Sequence, residues 1–266
     1  MCPALSPASP IALFDSGVGG ISVLAEMLRR LPGESFIYFG DSANAPYGSR
    51  SAEEVCALTD MHVARLLGMG AKAVVIACNT ATGAAIAYLR RRYPHIPIIG
   101  MEPAVRPAAL AHPGGRILVM ATPGTLASEK FRTLMSKYAD TAQIIPVPCP
   151  RLARMVESGI LQGSELQSYL TEVLTPHLPA DAVVLGCTHY PFVREAIAAA
   201  SGTPRIYDGG EGTARETARR LAESSMLQNG TARGSVQILN SDPSAERMEF
   251  CRRLLLSASE NPPVFS

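Results

Sequence analysis

The 266-residue chain has room for one large domain or two smaller ones around a sheet-rich core. Its 24 basic and 23 acidic residues leave a net charge of +1, which gives no global electrostatic reason to seek nucleic acid or an anionic membrane. Hydrophobic residues at 47% against 18% charged exclude a disordered chain, and no apolar run approaches the ~18 residues that span a bilayer.

The first ten residues hold three prolines and no basic residue. They lack the basic start and apolar core of a secretory signal, so the expectation is a cytoplasmic protein. A strand is predicted over 11–15, leading into Ser16-Gly17-Val18-Gly19-Gly20, then helical spacing over 21–30 and a strand over 35–39. Asp41 and Ser42 follow, with a loop holding Asn44, Pro46, Tyr47 and Gly48 that is long and polar enough to touch a ligand. An ordinary surface turn fits that loop equally well. Helical spacing over 52–68 precedes a strand over 73–77, helical spacing over 83–92 and a strand over 96–99. Arg90-Arg91-Arg92 reads as a solvated helix end. Pro103, Pro107, Pro113 and two glycines interrupt the pattern between 101 and 115, a plausible boundary. Beyond it come strands over 117–121, 143–147, 182–186, 205–207 and 236–239, helical spacing over 126–138, and an apolar helical stretch ending at Glu157.

Strand and helix in alternation predict α/β architecture: parallel sheets covered by helices, with ligands outside the carboxyl ends of the strands. Ala73-Val74-Val75-Ile76-Ala77-Cys78-Asn79-Thr80 is echoed by Ala182-Val183-Val184-Leu185-Gly186-Cys187-Thr188-His189. The echo predicts two pseudosymmetric Rossmann-like or flavodoxin-like domains. One is an N-terminal domain of residues 1–101 and 209–266, the other a C-terminal domain of residues 102–208.

The six cysteines are Cys2, Cys56, Cys78, Cys149, Cys187 and Cys251, with no C-x-x-C pair, which removes a zinc ribbon or a thioredoxin-type motif. Each would by default be a small buried apolar side chain. Cys78 and Cys187 depart from that default because both end strands beside helix N-termini, where backbone N–H groups favour a thiolate. Two thiols suit one chemistry in particular. Inverting a carbon that bears hydrogen means removing a proton from one face and delivering one to the other. A thiolate and a thiol can exchange those tasks. Only three lysines are present, Lys72, Lys130 and Lys137, and none sits where a pyridoxal Schiff base would be expected.

Asp15 can orient a cysteine or bind an ammonium group. The following glycines make only a partial dinucleotide fingerprint, since Ser22 stands where a third glycine is wanted, so a turn around a small anion is the alternative. His189, two residues beyond Cys187, can tune or protonate it. Glu157 on its own reads as a solvated carboxylate. Two rival readings remain open: acyl transfer by Cys187 with His189 as base, and non-catalytic binding of an amino acid.

The set Asp15-Ser16-Gly17-Val18-Gly19-Gly20, Tyr38-Phe39-Gly40-Asp41, Ala45-Pro46-Tyr47-Gly48, Ala77-Cys78-Asn79-Thr80-Ala81-Thr82 and Gly186-Cys187-Thr188-His189-Tyr190-Pro191 resembles the glutamate racemases, from Ile11 to about Arg219. The resemblance implies an active site in the cleft between two α/β domains, and racemisation of glutamate without metal, pyridoxal or nucleotide. It implies Cys78 and Cys187 as catalytic bases, with Asp15, His189 and Glu157 assisting. It implies substrate contacts from Asp15, Ser16, Tyr47, Gly48, Asn79, Thr80, Thr122, Thr125, Thr188 and His189. It further implies a bacterial cytoplasmic homodimer that supplies D-glutamate for peptidoglycan. Aspartate racemases are similar around the two cysteines but commonly carry a carboxylate in place of His189, and they are the alternative.

Overall fold

The computed structural model describes residues 5–203, 205–228, 232–259 and 263–266, so Cys2 lies outside the described residues. The first half contains β1 (Ile11–Asp15), α1 (Ile21–Arg30), β2 (Phe36–Gly40), α2 (Ala52–Gly68), β3 (Ala73–Ile76), α3 (Asn79–Arg92), β4 (Ile98–Gly100) and α4 (Val105–Ala111). Next come β5 (Arg116–Ala121), α5 (Pro123–Ala127), α6 (Glu129–Ser136), β6 (Gln143–Pro148), α7 (Leu152–Glu157), α8 (Ser164–Leu174), β7 (Ala182–Leu185), α9 (Arg194–Ser201) and β8 (Ile206–Asp208). The chain closes with α10 (Gly210–Glu223), β9 (Ser235–Asn240), α11 (Ala245–Ala258) and β10 (Val264–Phe265).

Two parallel sheets result, ordered β10-β9-β2-β1-β3-β4 and β6-β5-β7-β8. The order β2-β1-β3-β4 in the first repeats as β6-β5-β7-β8 in the second. Ile11 stands between Phe36 and Ala73, and Ile117 between Ile144 and Ala182. The strand pairing therefore carries the internal echo of the sequence. Each sheet is covered on both faces, which is why β3, and β1 up to its terminal Asp15, are apolar rather than alternating. Ile11, Leu13 and Val75 pack toward α1, α10 and α11, while Ala12, Phe14, Val74 and Ile76 pack toward α2 and α3.

Three expectations about elements change, and one strand was not expected. The helical stretch 126–138 is two helices, because Ser128 ends α5 and its Oγ caps α6 by accepting from Phe131 N at 3.2 Å. α3 starts at Asn79 rather than 83, since Cys78 itself caps it. The strand expected over 96–99 is Ile98–Gly100; Pro97, which has no N–H, contributes only its carbonyl, to Val74 N at 3.0 Å. β10, two half-exposed residues long, carries no periodic signal that sequence reading could detect.

Beneath the first sheet lies a buried ion pair. Lys72 Nζ donates to Glu34 Oε2 at 2.5 Å and to the Pro7 carbonyl, and Glu34 Oε1 accepts from Gln228 N at 2.8 Å. This pair ties the segment before β1 and the segment after α10 to the loop between α1 and β2.

Candidate active site

Parallel strands in register bring their carboxyl ends to one edge. In the first sheet that edge carries Ser16 after β1, Ser42 after β2 and Cys78 after β3. In the second it carries Thr122 after β5 and Cys187 after β7. The two edges face each other across a cavity of about 130 Å³. Cys78 and Cys187 both line it, together with Ser16, Tyr47, Gly48, Asn79, Thr80, Thr122, Thr125, Glu157, Thr188 and His189. Every residue singled out in the sequence for the site is there except Asp15. The Arg90-Arg91-Arg92 run lies outside it.

Asp15 is fully buried behind the cavity wall. Its carboxylate accepts from Gly17 N at 2.9 Å and Thr188 Oγ1 at 3.0 Å, so it fixes the hydroxyl of a cavity-lining residue from the opposite half rather than lining the cavity itself. A buried carboxylate needs such donors. Burial still holds Asp15 above the usual carboxylate range, with His189, the Gly17 N–H and Thr188 pulling the other way.

The direct hydrogen-bond partners of Cys78 are neutral. Its Sγ accepts from Ala81 N at 3.4 Å as the cap of α3 and lies 3.3 Å from Ser16 Oγ. Those contacts favour a thiolate, as the strand-end position predicts, but they do not win. Burial, helped by the charge of Asp15, pushes the Cys78 thiol up to about 11.

Cys187 sits in a charged chain. Its Sγ is 3.5 Å from His189 Nδ1, and His189 Nε2 is 2.8 Å from Glu157 Oε1. Oε1 also accepts from Val18 N at 2.7 Å, and Oε2 from Arg247 Nη1 at 3.0 Å. Glu157 is therefore no solvated carboxylate. Burial would raise it, but His189, the Val18 N–H and Arg247 together hold it below the usual carboxylate range. Burial would lower His189, but Cys187 and Glu157 outweigh it and hold the imidazole protonated well above its ordinary range.

Both shifts link stability to pH. The contribution of Glu157 is complete above its unfolded value of 4.5 and is lost as pH falls through the lowered folded one. The contribution of His189 is complete below its unfolded value of 6.5 and is lost as pH rises through the raised folded one. The gap in melting temperature between the wild-type chain and Glu157→Gln should thus be widest between pH 4.5 and 6.5 and narrow on either side. A gap independent of pH would show that no proton is linked to this pair.

The glycines after Asp15 have a reason that neither anion binding nor a nucleotide supplies. A Cβ on Gly17 would meet Glu157 Oε1 at 1.8 Å, and one on Gly19 would meet His189 Nδ1 at 2.5 Å. The turn is glycine-rich because the second half packs onto it, and the anion it holds is the protein's own carboxylate.

Hydroxyls cluster on the remaining wall. Thr80 Oγ1 is 3.1 Å from both Thr122 Oγ1 and Thr125 Oγ1. Both polar atoms of the Asn79 amide are buried without a protein partner and so are free to meet a ligand. Tyr47 reaches the cavity held by its hydroxyl donating to Asp41 Oδ2 at 2.6 Å, and Asn44 Nδ2 donates to the same carboxylate at 3.0 and 3.1 Å. His62 Nε2 is 3.1 Å from Asp41 Oδ2, off the line of a hydrogen bond. Sequence reasoning missed Arg154 and Arg247 on the cavity wall; each reads as a solvated residue of an amphipathic helix, and no motif marks either.

Comparison with known proteins identifies the family. Residues 15–217 match the family model described as Asp/Glu/Hydantoin racemase. A glutamate racemase from Clostridium botulinum is 47% identical over 252 residues, covering 94% of this chain and 98% of the relative. The structure of glutamate racemase from Thermus thermophilus in complex with β-chloro-D-alanine superposes with a TM-score of 0.79 at 34% identity, covering 98% of this chain and 97% of that one. The glutamate racemase from Francisella tularensis in complex with D-glutamate gives a TM-score of 0.82 at 26% identity, covering 98% of both chains. Two parallel sheets meeting at paired strand-end cysteines, and a match over most of the chain, place this protein in the Asp/Glu/Hydantoin racemase family, among the glutamate racemases, which are isomerases.

Proposed function

We propose that this enzyme interconverts L- and D-glutamate by two-base proton transfer between Cys78 and Cys187, with no metal or pyridoxal. The observation that carries the reading is the pair of cysteines at equivalent strand ends of the two sheets, lining one cavity from opposite sides. By family resemblance Cys187 takes the proton from L-glutamate and Cys78 from D-glutamate. The free site is asymmetric: an imidazolium at His189 stands 3.5 Å from Cys187 Sγ, while Cys78 is held as a thiol. Acyl transfer would leave Cys78 without a task.

The α-proton of an amino acid is a very weak acid, and the carbanion left behind has no electron sink. Hydroxyls and amides of Ser16, Asn79, Thr80, Thr122 and Thr188 supply donors for the substrate carboxylates, each able to contribute ~3 kcal/mol where charge develops. Asp15 acts through Thr188, while Tyr47, Gly48 and Thr125 complete the binding walls. We further propose domains of residues 1–101 with 209–266 and of residues 102–208, a homodimer, and a role in supplying D-glutamate for peptidoglycan in a bacterial cytoplasm. No helix among the described residues is long and apolar enough to cross a membrane.

The test is exchange in heavy water. Deuterium should enter the α-carbon of glutamate from either enantiomer and not that of aspartate; exchange into aspartate alone would move the substrate to the runner-up, and no exchange would remove the racemase reading. A second measurement addresses the charge asymmetry. Cys78 and Cys187 are about equally shielded, 6% and 8% exposed, so access does not separate them. At pH 7 iodoacetamide should label Cys187 roughly tenfold or more faster than Cys78, because the reactive form is the thiolate, which burial disfavours at Cys78, while a positive His189 stands 3.5 Å from Cys187 Sγ. Equal rates, read by mass spectrometry of quenched digests, would show that the two sulfurs carry the same charge.

A further inference from the structure

The repeat should make the two halves of the site equivalent, yet their surroundings differ. Beside Cys78 stand a serine hydroxyl and a backbone N–H, and beside Cys187 a chain of charges. Part of that difference comes from outside the repeat. β9, β10 and α11 extend the first sheet and have no counterpart in the second. They bring Arg247 to the cavity wall.

Arg247 stands in the first turn of α11, where Ser244 Oγ caps the helix by accepting from Arg247 N at 3.3 Å. Its Nη1 donates to Glu157 Oε2 and to the Glu157 carbonyl, both at 3.0 Å. That double contact fixes the side chain and the backbone of Glu157 together. Its Nε lies 3.6 Å from Asp242 Oδ2, and its guanidinium sits 6.0 Å from the Phe250 ring centroid. The turn that carries it is anchored in its own right. Ser241 N donates to the Gly40 carbonyl and Ser241 Oγ accepts from Ala43 N, both at 2.9 Å, and Asn240 Nδ2 donates to Ser42 Oγ at 3.0 Å. Side chains of Arg247 and Glu157 are 22% and 13% exposed, so the pair is far less screened than a surface ion pair.

Resting on the two-base reading above, we infer that Arg247 is a positioning residue for proton transfer on the Cys187 face: by clamping Glu157, the C-terminal helix keeps Glu157, His189 and Cys187 in line. Glu157 Oε1 is then left to His189 and the Val18 N–H, while Oε2 is occupied by Arg247, with Ser42 Oγ at the margin at 3.5 Å. Among the described residues, the charged and titratable groups that face this chain are Asp15, Tyr38, Asp242, Cys251, Arg247 and Cys187 itself, and of these Arg247 alone opposes the carboxylate from outside the His189 pair. Among the described residues no such chain of ion pairs reaches Cys78, on which the charge of Asp15 acts instead.

Racemisation alone cannot expose a one-sided effect. The equilibrium constant between enantiomers is one, so kcat/KM must be equal in the two directions for any variant. A substrate carrying a leaving group on Cβ separates the faces, and the relative from Thermus thermophilus was captured with such a compound, β-chloro-D-alanine. Thiolate takes the α-proton, the electron pair forms the Cα–Cβ double bond and chloride leaves. The 2-aminoacrylate released is hydrolysed by water to pyruvate and ammonium.

The experiment compares Arg247→Met and Arg247→Lys with the wild-type chain on β-chloro-L-alanine and β-chloro-D-alanine, with pyruvate as the readout, and on glutamate across pH. For Arg247→Met, elimination from the L-compound should fall on the order of tenfold to a hundredfold, the scale for loss of alignment at a reacting group. Elimination from the D-compound should hold within about twofold on the same argument. For glutamate the loss should sit in kcat with KM little changed, the pH profile of kcat should shift, and Arg247→Lys should recover part of the loss. Equal slowing on both enantiomers would reduce Arg247 to a structural part. A raised KM with kcat intact would make it a substrate ligand instead. Either result overturns the positioning role while leaving the two-base reading standing, because that reading fails only if the separate cysteine variants lose their enantiomer preference.

Discussion

Cys78→Ser and Cys187→Ser should each lose racemisation in both directions by on the order of 10²- to 10⁴-fold, the usual worth of a placed acid or base. Each direction needs one sulfur to remove a proton and the other to deliver one. A serine hydroxyl is so weak an acid that it supplies neither a ready base nor a matched donor at neutral pH. The two variants should nevertheless differ on a substrate that requires only abstraction. Cys78→Ser keeps Cys187 with its His189 partner 3.5 Å away, so it should still release pyruvate from β-chloro-L-alanine and fail on the D-compound. Cys187→Ser should show the reverse preference. Its surviving rate should climb with pH more steeply than that of Cys78→Ser, since Cys78 must lose a proton held up to about 11. If both variants handle both enantiomers alike, or one cysteine proves silent, the assignment of one base to each face is wrong.

The largest loss of stability is expected far from the chemistry, at Lys72→Met. Lys72 and Glu34 have side chains 0% and 2% exposed and are bonded at 2.5 Å. Removing the ammonium leaves the Glu34 carboxylate buried with the Gln228 N–H as its remaining donor among the described residues. Breaking a buried pair in this way costs about 3–5 kcal/mol. At roughly 2–4 °C per kcal/mol for a chain of this size, the melting temperature should drop by about 6–20 °C. The double variant Lys72→Met with Glu34→Gln should recover part of that drop, because the uncompensated charge is gone while an acceptor for Gln228 N remains. A single variant that melts with the wild type would show that water reaches the pair. A double variant no better than the single would place the cost in packing of the lysine stem instead of in the charge.

Much of this protein was legible in the chain itself. Fully covered parallel strands need unbroken apolar runs, and such runs at 73–76 and 182–185, each delivering a cysteine beside a polar pair, marked both the repeat and its reactive ends. The residue types at the strand ends were visible for the same reason: polar side chains at the close of an apolar run have nowhere to go but the open edge of the sheet. Tertiary structure alone decided what those groups do to one another. Glu157 meets Val18 across 139 residues of sequence and Arg247 across 90, and no local pattern encodes contacts of that range. The same holds for charge. Beside a helix N-terminus Cys78 looks like a thiolate, yet burial and the enclosed charge of Asp15 make it a thiol. Gly17 and Gly19 look like a fragment of a phosphate loop until Glu157 and His189 are seen to fill the space where their side chains would be. Local spacing specifies elements and the edges they expose, whereas protonation depends on distances through space, which only the packed sheets and the closing helix α11 set.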